Sequence, residues 1–241
     1  ELIRQQPTRD FVSALQQKET AIIAEIKKSS PSAGLIRADF DAREIATSYE
    51  RNDAACLSVL TDEKYFQGHD EFIRQIREVC SLPILRKDFM LDPYQIVESR
   101  YLGADCILII MSAVDDALAK EMMDETRNLG MDAILEVHNM QELDRAIRLK
   151  PDIIGVNSRN LKTQTTEIDI FEKLVAHIPD ECIKIAESGI KKAEDIQELL
   201  KLGFDAFLIG ETFMRHKNPG FALKNIRDLK QNENRTKVEH R

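Results

Sequence analysis

No apolar run in this 241-residue sequence approaches the roughly 20 residues of a membrane-spanning helix, and no signal-peptide pattern opens it. The four cysteines (Cys56, Cys80, Cys106, Cys182) are scattered without a CxxC pair. Cys56 and Cys106 sit inside apolar runs, where a free thiol behaves as a small hydrophobe. That usage argues against a disulfide framework and implies a reduced, cytoplasmic setting. Positive charge is outnumbered: 34 Lys and Arg stand against 42 Asp and Glu, for a net charge of −8. The balance excludes nucleic acid and anionic membrane as expected partners, and an anionic ligand would need a local basic cluster. A GxGxxG turn, a Walker loop and a GxSxG elbow are missing, as is any His/Asp/Glu cluster with metal-ligand spacing.

What is present is a rhythm. Apolar, β-prone runs occur at 22–27, 55–61, 83–89, 106–111, 133–138, 153–159, 183–189 and 206–211. Between them, sets such as Phe72/Ile73/Ile76/Val79, Leu143/Ala146/Ile147 and Ile196/Leu199/Leu200 follow helical spacing. Short strands alternating with helices imply parallel βαβ units. Leu102-Gly103-Ala104-Asp105, Leu129-Gly130-Met131-Asp132 and Leu202-Gly203-Phe204-Asp205 each punctuate a helix end before a strand, and Asp53 and Asp152 are read as standing in the same place before two others. Asp92-Pro93 and Asn218-Pro219 predict helix starts with a capping side chain before a first-turn proline. A further short helix is expected over 8–15, where it could lid one end of the fold.

Eight such units at this length predict a (β/α)8 TIM barrel with a short N-terminal helical extension. The open doubly wound sheet is the alternative, and it would favour the Gly-rich first turn that is absent. The expected organisation is a single barrel domain over 1–241, with 1–20 as the extension and 231–241 as a polar tail.

A barrel carries its chemistry at the C-terminal strand ends. The first run breaks that expectation of an apolar strand at once, since Glu25 and Lys27 close it and a Ser/Pro/Gly segment, Ser29 to Gly34, follows. Later ends supply Thr61, Lys87-Asp88-Phe89, Met111-Ser112, Glu136 and His138, Asn157 and Arg159, Glu187-Ser188-Gly189 and Gly210-Glu211. Glu25/Lys27, Lys87/Phe89, Glu136/His138 and Asn157/Arg159 are each two residues apart, so each pair shares a strand face. Isolated charges at strand ends are ordinary surface residues, but polar groups at most of the ends point to a site, because unpaired buried charge is costly.

Gly189 and Gly210 follow the seventh and eighth strands, where such barrels often hold phosphate through backbone N–H groups; Lys27 and Ser30 could complete the cradle. Lys27, Lys28, Arg86, Lys87 and Arg159 exceed what one phosphate needs, so a second anionic group such as a carboxylate is expected. Lys87 and Glu136 form the natural proton-transfer pair, with Lys27 expected to lower the Lys87 pKa and a sheltered Glu136 expected to have a raised one. A plain Lys–Glu salt bridge is the competing explanation. His69, His177 and His216 read as surface groups, and His138 as a partner behind the site.

The segments AEIKKSSPSAG, ILRKDFML, ILEVHN, IIGVNSRNL, IAESGI and LIGETFM occur in this order, and together they closely resemble the indole-3-glycerol phosphate synthase family of tryptophan biosynthesis. The resemblance runs from about Phe11 to about Ala222. It implies a lyase that closes 1-(2-carboxyphenylamino)-1-deoxyribulose 5-phosphate to an indole with loss of CO2 and water, and it implies no metal and no organic cofactor. By motif position, Lys87 resembles the general acid at the substrate carbonyl, Glu136 the acid/base of dehydration, and Lys27 a second catalytic lysine, placed to contact the substrate carboxylate or phosphate and to share proton transfer. Glu25, Asn157, Glu187 and Ser188 resemble the polar shell that orients the substrate, and Arg159 a residue near its anionic end. Ser30, Gly189, Gly210 and Glu211 resemble the phosphate region, and Phe89 an apolar wall for the aromatic ring. The family usually carries a longer helical stretch ahead of the barrel, so less complete cover of the mouth is expected here, as is a monofunctional monomer. Two alternatives stand beside this one. A phosphoribosyl-isomerase-type barrel would want Cys/Asp or paired Asp where Glu25 and Lys27 stand, and a barrel that only binds sugar phosphate would not need both Lys87 and Glu136.

Overall fold

A computed structural model describes residues 7–159, 163 and 165–228. The tail expected over 231–241 and the first six residues of the expected extension lie outside the described residues. Eight parallel strands close into one barrel: β1 (Ala21–Ile26), β2 (Cys56–Leu60), β3 (Ile84–Lys87), β4 (Cys106–Ile110), β5 (Asp132–Val137), β6 (Ile153–Asn157), β7 (Ile183–Glu187) and β8 (Ala206–Ile209). Each pairs with its sequence neighbours, and β8 returns to β1 through Ala21↔Ala206 to Ala24↔Ile209. The helices are α1 (Phe11–Gln16), α2 (Ala42–Arg51), α3 (Glu71–Arg77), α4 (Tyr94–Leu102), α5 (Asp116–Asn128), α6 (Met140–Arg148), α7 (Asp169–Val175), α8 (Ala193–Leu202) and α9 (Pro219–Arg227), with one-turn helices at Glu63–Phe66 and Glu211–Met214.

Strand alternation divides the core in two. Ile22, Ala24 and Ile26 face outward into the layer under the helices, whereas Ala21 and Ile23 join Leu85, Cys106, Leu108, Ile134, Ile153, Ile185 and Leu208 inside the barrel. The inward series continues upward as Glu25, Lys87, Glu136, Asn157 and Glu187, so an apolar plug supports a charged tier. Lys27, Phe89, His138 and Arg159 lie just beyond the paired strand ends rather than in the strands.

Local signals account for the punctuation. Gly103, Gly130 and Gly203 all take left-handed backbone at helix ends. Asp53 and Asp152 are not equivalent, however. Asp53 itself takes the left-handed position (φ 67°), while before β6 that position falls to Lys150 (φ 49°) and Asp152 stands where Asp105 does, just ahead of the strand. Asn218 caps α9 by accepting the Phe221 N–H, with Pro219 in the first turn. At α4 the helix begins one residue later than expected, after Pro93, although Asp92 still accepts the Tyr94 N–H at 2.8 Å.

Helix α1 closes the end of the barrel opposite the charged tier. Phe11 is fully buried in the interior cluster, the Arg9 N–H donates to Asp105, and the Thr8 hydroxyl donates to the Gly130 carbonyl, both at N-terminal strand approaches. The Ser/Pro/Gly segment after β1 is more ordered than a plain loop: Ser29–Ser30 pairs antiparallel with Gly34–Leu35.

Candidate active site

The charged tier opens into a cavity of about 1430 Å³ at the C-terminal strand ends. Its lining includes Glu25, Lys27, Ser30, Lys87, Phe89, Glu136, Asn157, Arg159, Ser188, Gly189, Gly210 and Glu211. Glu187 sits immediately beneath, 1% exposed, with its Oε2 accepting from Lys87 Nζ at 2.6 Å. Lys87 Nζ also lies 3.8 Å from Glu136 Oε2 and 3.9 Å from Glu25 Oε2. Three carboxylates from β1, β5 and β7 therefore converge on one ammonium from β3, while Lys27 pairs with the other oxygen of Glu25 at 2.5 Å.

Two glycines make this crowding feasible. A Cβ on Gly155 would meet Glu187 Oε1 at 2.3 Å, and one on Gly210 would meet Glu25 Oε1 at 2.1 Å. Gly210 thus leaves room for a carboxylate as well as lining the cavity.

The arrangement reverses two expectations about protonation. Burial alone would lower the Lys87 pKa, but Glu187, Glu136 and Glu25 outweigh it and hold the ammonium above its ordinary value; Lys27 is engaged with Glu25 and does not depress it. Burial would likewise raise Glu136, yet His138, Lys87 and Asn157 bring it down to about 2. The raised carboxyl is Glu187, which burial and the charges of Glu136 and Glu25 push up to about 7 against the pull of Lys87. For Glu25, burial is outweighed by Lys27 and Lys87, and its carboxyl falls below the ordinary range.

Beside this cluster, on the strand between those of Glu136 and Glu187, the polar groups lock into one another. Asn157 Oδ1 accepts from the Ser188 hydroxyl at 2.8 Å and from the Arg159 N–H at 3.0 Å. Ser188 and Gly189 both adopt positive φ, 69° and 76°, and for a serine that conformation is strained, as is common where a backbone is shaped for a ligand. The Arg159 guanidinium donates to Ser32 Oγ at 2.7 Å and lies 3.7 Å from Glu211, which also accepts from Arg215 at 2.8 and 3.0 Å. The Glu211 side chain thus gathers guanidinium groups at the rim, and only its backbone suits an anion.

Arg86 does not belong to the cluster of cations expected at the mouth. It is one residue from Lys87, so it faces outward, where it is 3% exposed and donates to Thr61, Glu98, Ser99 and Asp70. Thr61 in turn donates to Asp88. Lys28 does not line the cavity either. Lys191 and Arg215 do, and both escaped the sequence reading although Lys191 follows Ser188-Gly189-Ile190 directly. Tyr65 and Phe66 were missed as well; their rings stand 6.4 and 6.5 Å from Phe89 and extend its apolar wall. His69 and His177 are exposed as expected, while His216, also exposed, borders the cavity.

Comparison with known proteins adds an independent line. The family model for indole-3-glycerol phosphate synthase matches residues 1–227. A relative named indole-3-glycerol phosphate synthase from Azospirillum brasilense is 49% identical over 222 residues, covering 90% of this chain and 85% of its own length. One of the same name from Polaromonas naphthalenivorans (strain CJ2) is 48% identical over 223 residues, covering 91% and 85%. Among solved structures, the N-acetylmannosamine-6-phosphate 2-epimerase from Clostridium perfringens aligns with a TM-score of 0.66 at 15% identity, over 93% of this chain and 98% of that one. A likeness at that identity speaks to the barrel alone.

Proposed function

The chain belongs to the indole-3-glycerol phosphate synthase family, and from that premise we infer that its barrel mouth closes 1-(2-carboxyphenylamino)-1-deoxyribulose 5-phosphate to indole-3-glycerol phosphate, releasing CO2 and water. The observation that carries the assignment of roles is the Lys87 ammonium held among Glu187, Glu136 and Glu25 at the centre of the cavity floor. An ammonium so surrounded stays protonated at neutral pH, so the proton that a carbonyl oxygen needs is in place.

In ring closure, the aromatic carbon that bears the carboxylate attacks the substrate carbonyl while Lys87 protonates its oxygen. Loss of CO2 then restores the ring, and Glu136 serves the dehydration that completes the indole. Lys27 and Arg159 hold the two anionic ends of the substrate, which supplies the reason for local cations in a chain of net charge −8. Glu25, Asn157, Glu187 and Ser188 orient the anilino and hydroxyl groups. Ser30, Gly189, Gly210 and the backbone of Glu211, with Lys27, form the phosphate region, and Phe89 backs the aromatic ring with help from Phe66 and Tyr65. The reading includes a cytoplasmic enzyme acting as a monomer; four free, buried cysteines support the compartment.

The test is direct. The purified chain is mixed with the carboxyphenylamino substrate and indole fluorescence is followed. Steady appearance of the indole signal is expected, and folded protein that gives none would overturn the assignment.

A further inference from the structure

Glu136 divides its two carboxyl oxygens between different partners. Oε2 faces Lys87 at 3.8 Å, and Oε1 lies 3.2 Å from His138 Nε2, a residue that does not line the cavity. Both Glu136 Oε1 and His138 Nε2 are buried, and neither makes a well-aligned hydrogen bond, although each is within reach of the other. A buried acceptor and ring nitrogen so placed satisfy one another only with a proton between them.

The far side of the imidazole is fixed. Glu142, on the first turn of α6, accepts the His138 backbone N–H at 2.8 Å and approaches Nδ1 at 3.1 Å with the same oxygen, while Asn139 Nδ2 donates to its other oxygen at 2.7 Å. An ionised carboxylate only accepts, so Nδ1 carries a proton and Nε2 is the exchangeable position.

We propose that His138, oriented by Glu142, is the proton reservoir that lets Glu136 act as an acid in the dehydration half-reaction. The inference rests on the assignment of Glu136 to that half-reaction. His138 acts through Glu136 and is a positioning residue that also stores a proton. In the forward step the His138 Nε2–H bond breaks and a Glu136 Oε1–H bond forms, turning imidazolium and carboxylate into imidazole and carboxylic acid. Glu136 then gives that proton to the departing hydroxyl, which leaves as water. The proton released as the indole double bond forms returns through Glu136 to His138, so the pair ends the turnover as it began.

The electrostatics agree with the resting ion pair that this geometry shows. Burial works against a charged imidazole, but Glu136 and Glu142 overcome it and raise His138 to about 10, while the same contact helps to keep Glu136 ionised. Facing the pair are Glu142 from α6, Lys87 from β3 and, across Lys87, Glu25 and Glu187. The resting arrangement is carboxylate, imidazolium, carboxylate, and the proton that an acid step needs is on His138.

The experiment compares CO2 release with indole formation in single turnovers, with enzyme in excess over substrate, for wild type, His138→Gln and Glu142→Gln. For His138→Gln the expected result is a wild-type rate of CO2 release, indole formation slowed by roughly a hundredfold, and little change in substrate affinity measured by titration. Glu142→Gln, which leaves the ring in place, should slow indole formation less and move the alkaline limb of kcat to lower pH, because the imidazolium loses one of its two carboxylates. It decides the matter if His138→Gln does not fold. Indole formation keeping pace with CO2 release, or both products slowing together, would overturn the reservoir. A wild-type chain that releases neither product would instead overturn the functional reading beneath it, a result recognisable before any variant is made.

Discussion

Glu187 Oε2 accepts a 2.6 Å hydrogen bond from Lys87 Nζ, and the same carboxyl is the one that burial pushes up to about 7. Lys87 and its nearest carboxylate are therefore tuned against each other: Glu187 keeps Lys87 charged, and Lys87 limits how far Glu187 can rise. This pair sets the charge of the cavity floor around neutrality.

A pH dependence follows. In wild type, kcat/KM should rise with pH through about 7 as Glu187 ionises and secures Lys87. Glu187→Gln should be low throughout and lack that inflection. Steady-state assays from pH 5.5 to 8.5 check this, and an unchanged inflection in the variant would assign it to another group.

The same residue makes a stability prediction. The folded-state pKa of Glu187 is raised, so the folded chain holds its proton more tightly than the unfolded chain does. Its contribution is fully present below the ordinary Glu pKa of about 4.3 and is lost as pH rises through about 7. Relative to Glu187→Gln, wild type should therefore lose stability across that window in urea titrations. A difference that stays flat from pH 4.5 to 8 would contradict it.

Gly155→Ala and Gly210→Ala test the close approaches. Each new methyl group drives a buried carboxylate, Glu187 or Glu25, from its place. The expected cost is about 1–3 kcal/mol of stability, as for other overpacked cores, together with a clear loss of kcat. Chemical denaturation and turnover read the two effects, and wild-type turnover in either variant would show that its carboxylate is not held where the geometry has it.

Arg159→Ala removes the tie to Ser32 and the approach to Glu211 at once. KM should rise by roughly tenfold or more with a smaller fall in kcat, as expected when binding of an anionic group is lost. Arg159→Lys should restore only part of it, since the planar fork is not replaced.

How much of this the residues alone reveal depends on whether a feature is local in sequence or arises from tertiary contact. The barrel and the inward ring of Glu25, Lys87, Glu136 and Asn157 were legible because period-two alternation and strand-end position are local properties. Alternation also carries the signal that excludes Arg86 from the mouth, since it is one residue from Lys87 and pairs outward with Asp70 and Glu98. The protonation states were not legible. They depend on three carboxylates from distant strands meeting one ammonium, and on His138 turning toward Glu136, which are tertiary facts. Gly155 passed as an unremarked strand residue because the atom it makes room for, Glu187 Oε1, is 32 residues away in sequence. Tyr65 and Phe66 were hidden for another reason: they ride on a single helical turn, capped by Asp62, that is too short to leave a periodic pattern.

The central claim is that Lys87 is the acid of ring closure, and Lys87→Ala in the indole-fluorescence assay tests it most directly. Turnover should fall by at least about a hundredfold while substrate affinity, measured by titration, changes far less. A folded Lys87→Ala protein that retains turnover close to wild type would contradict the assignment.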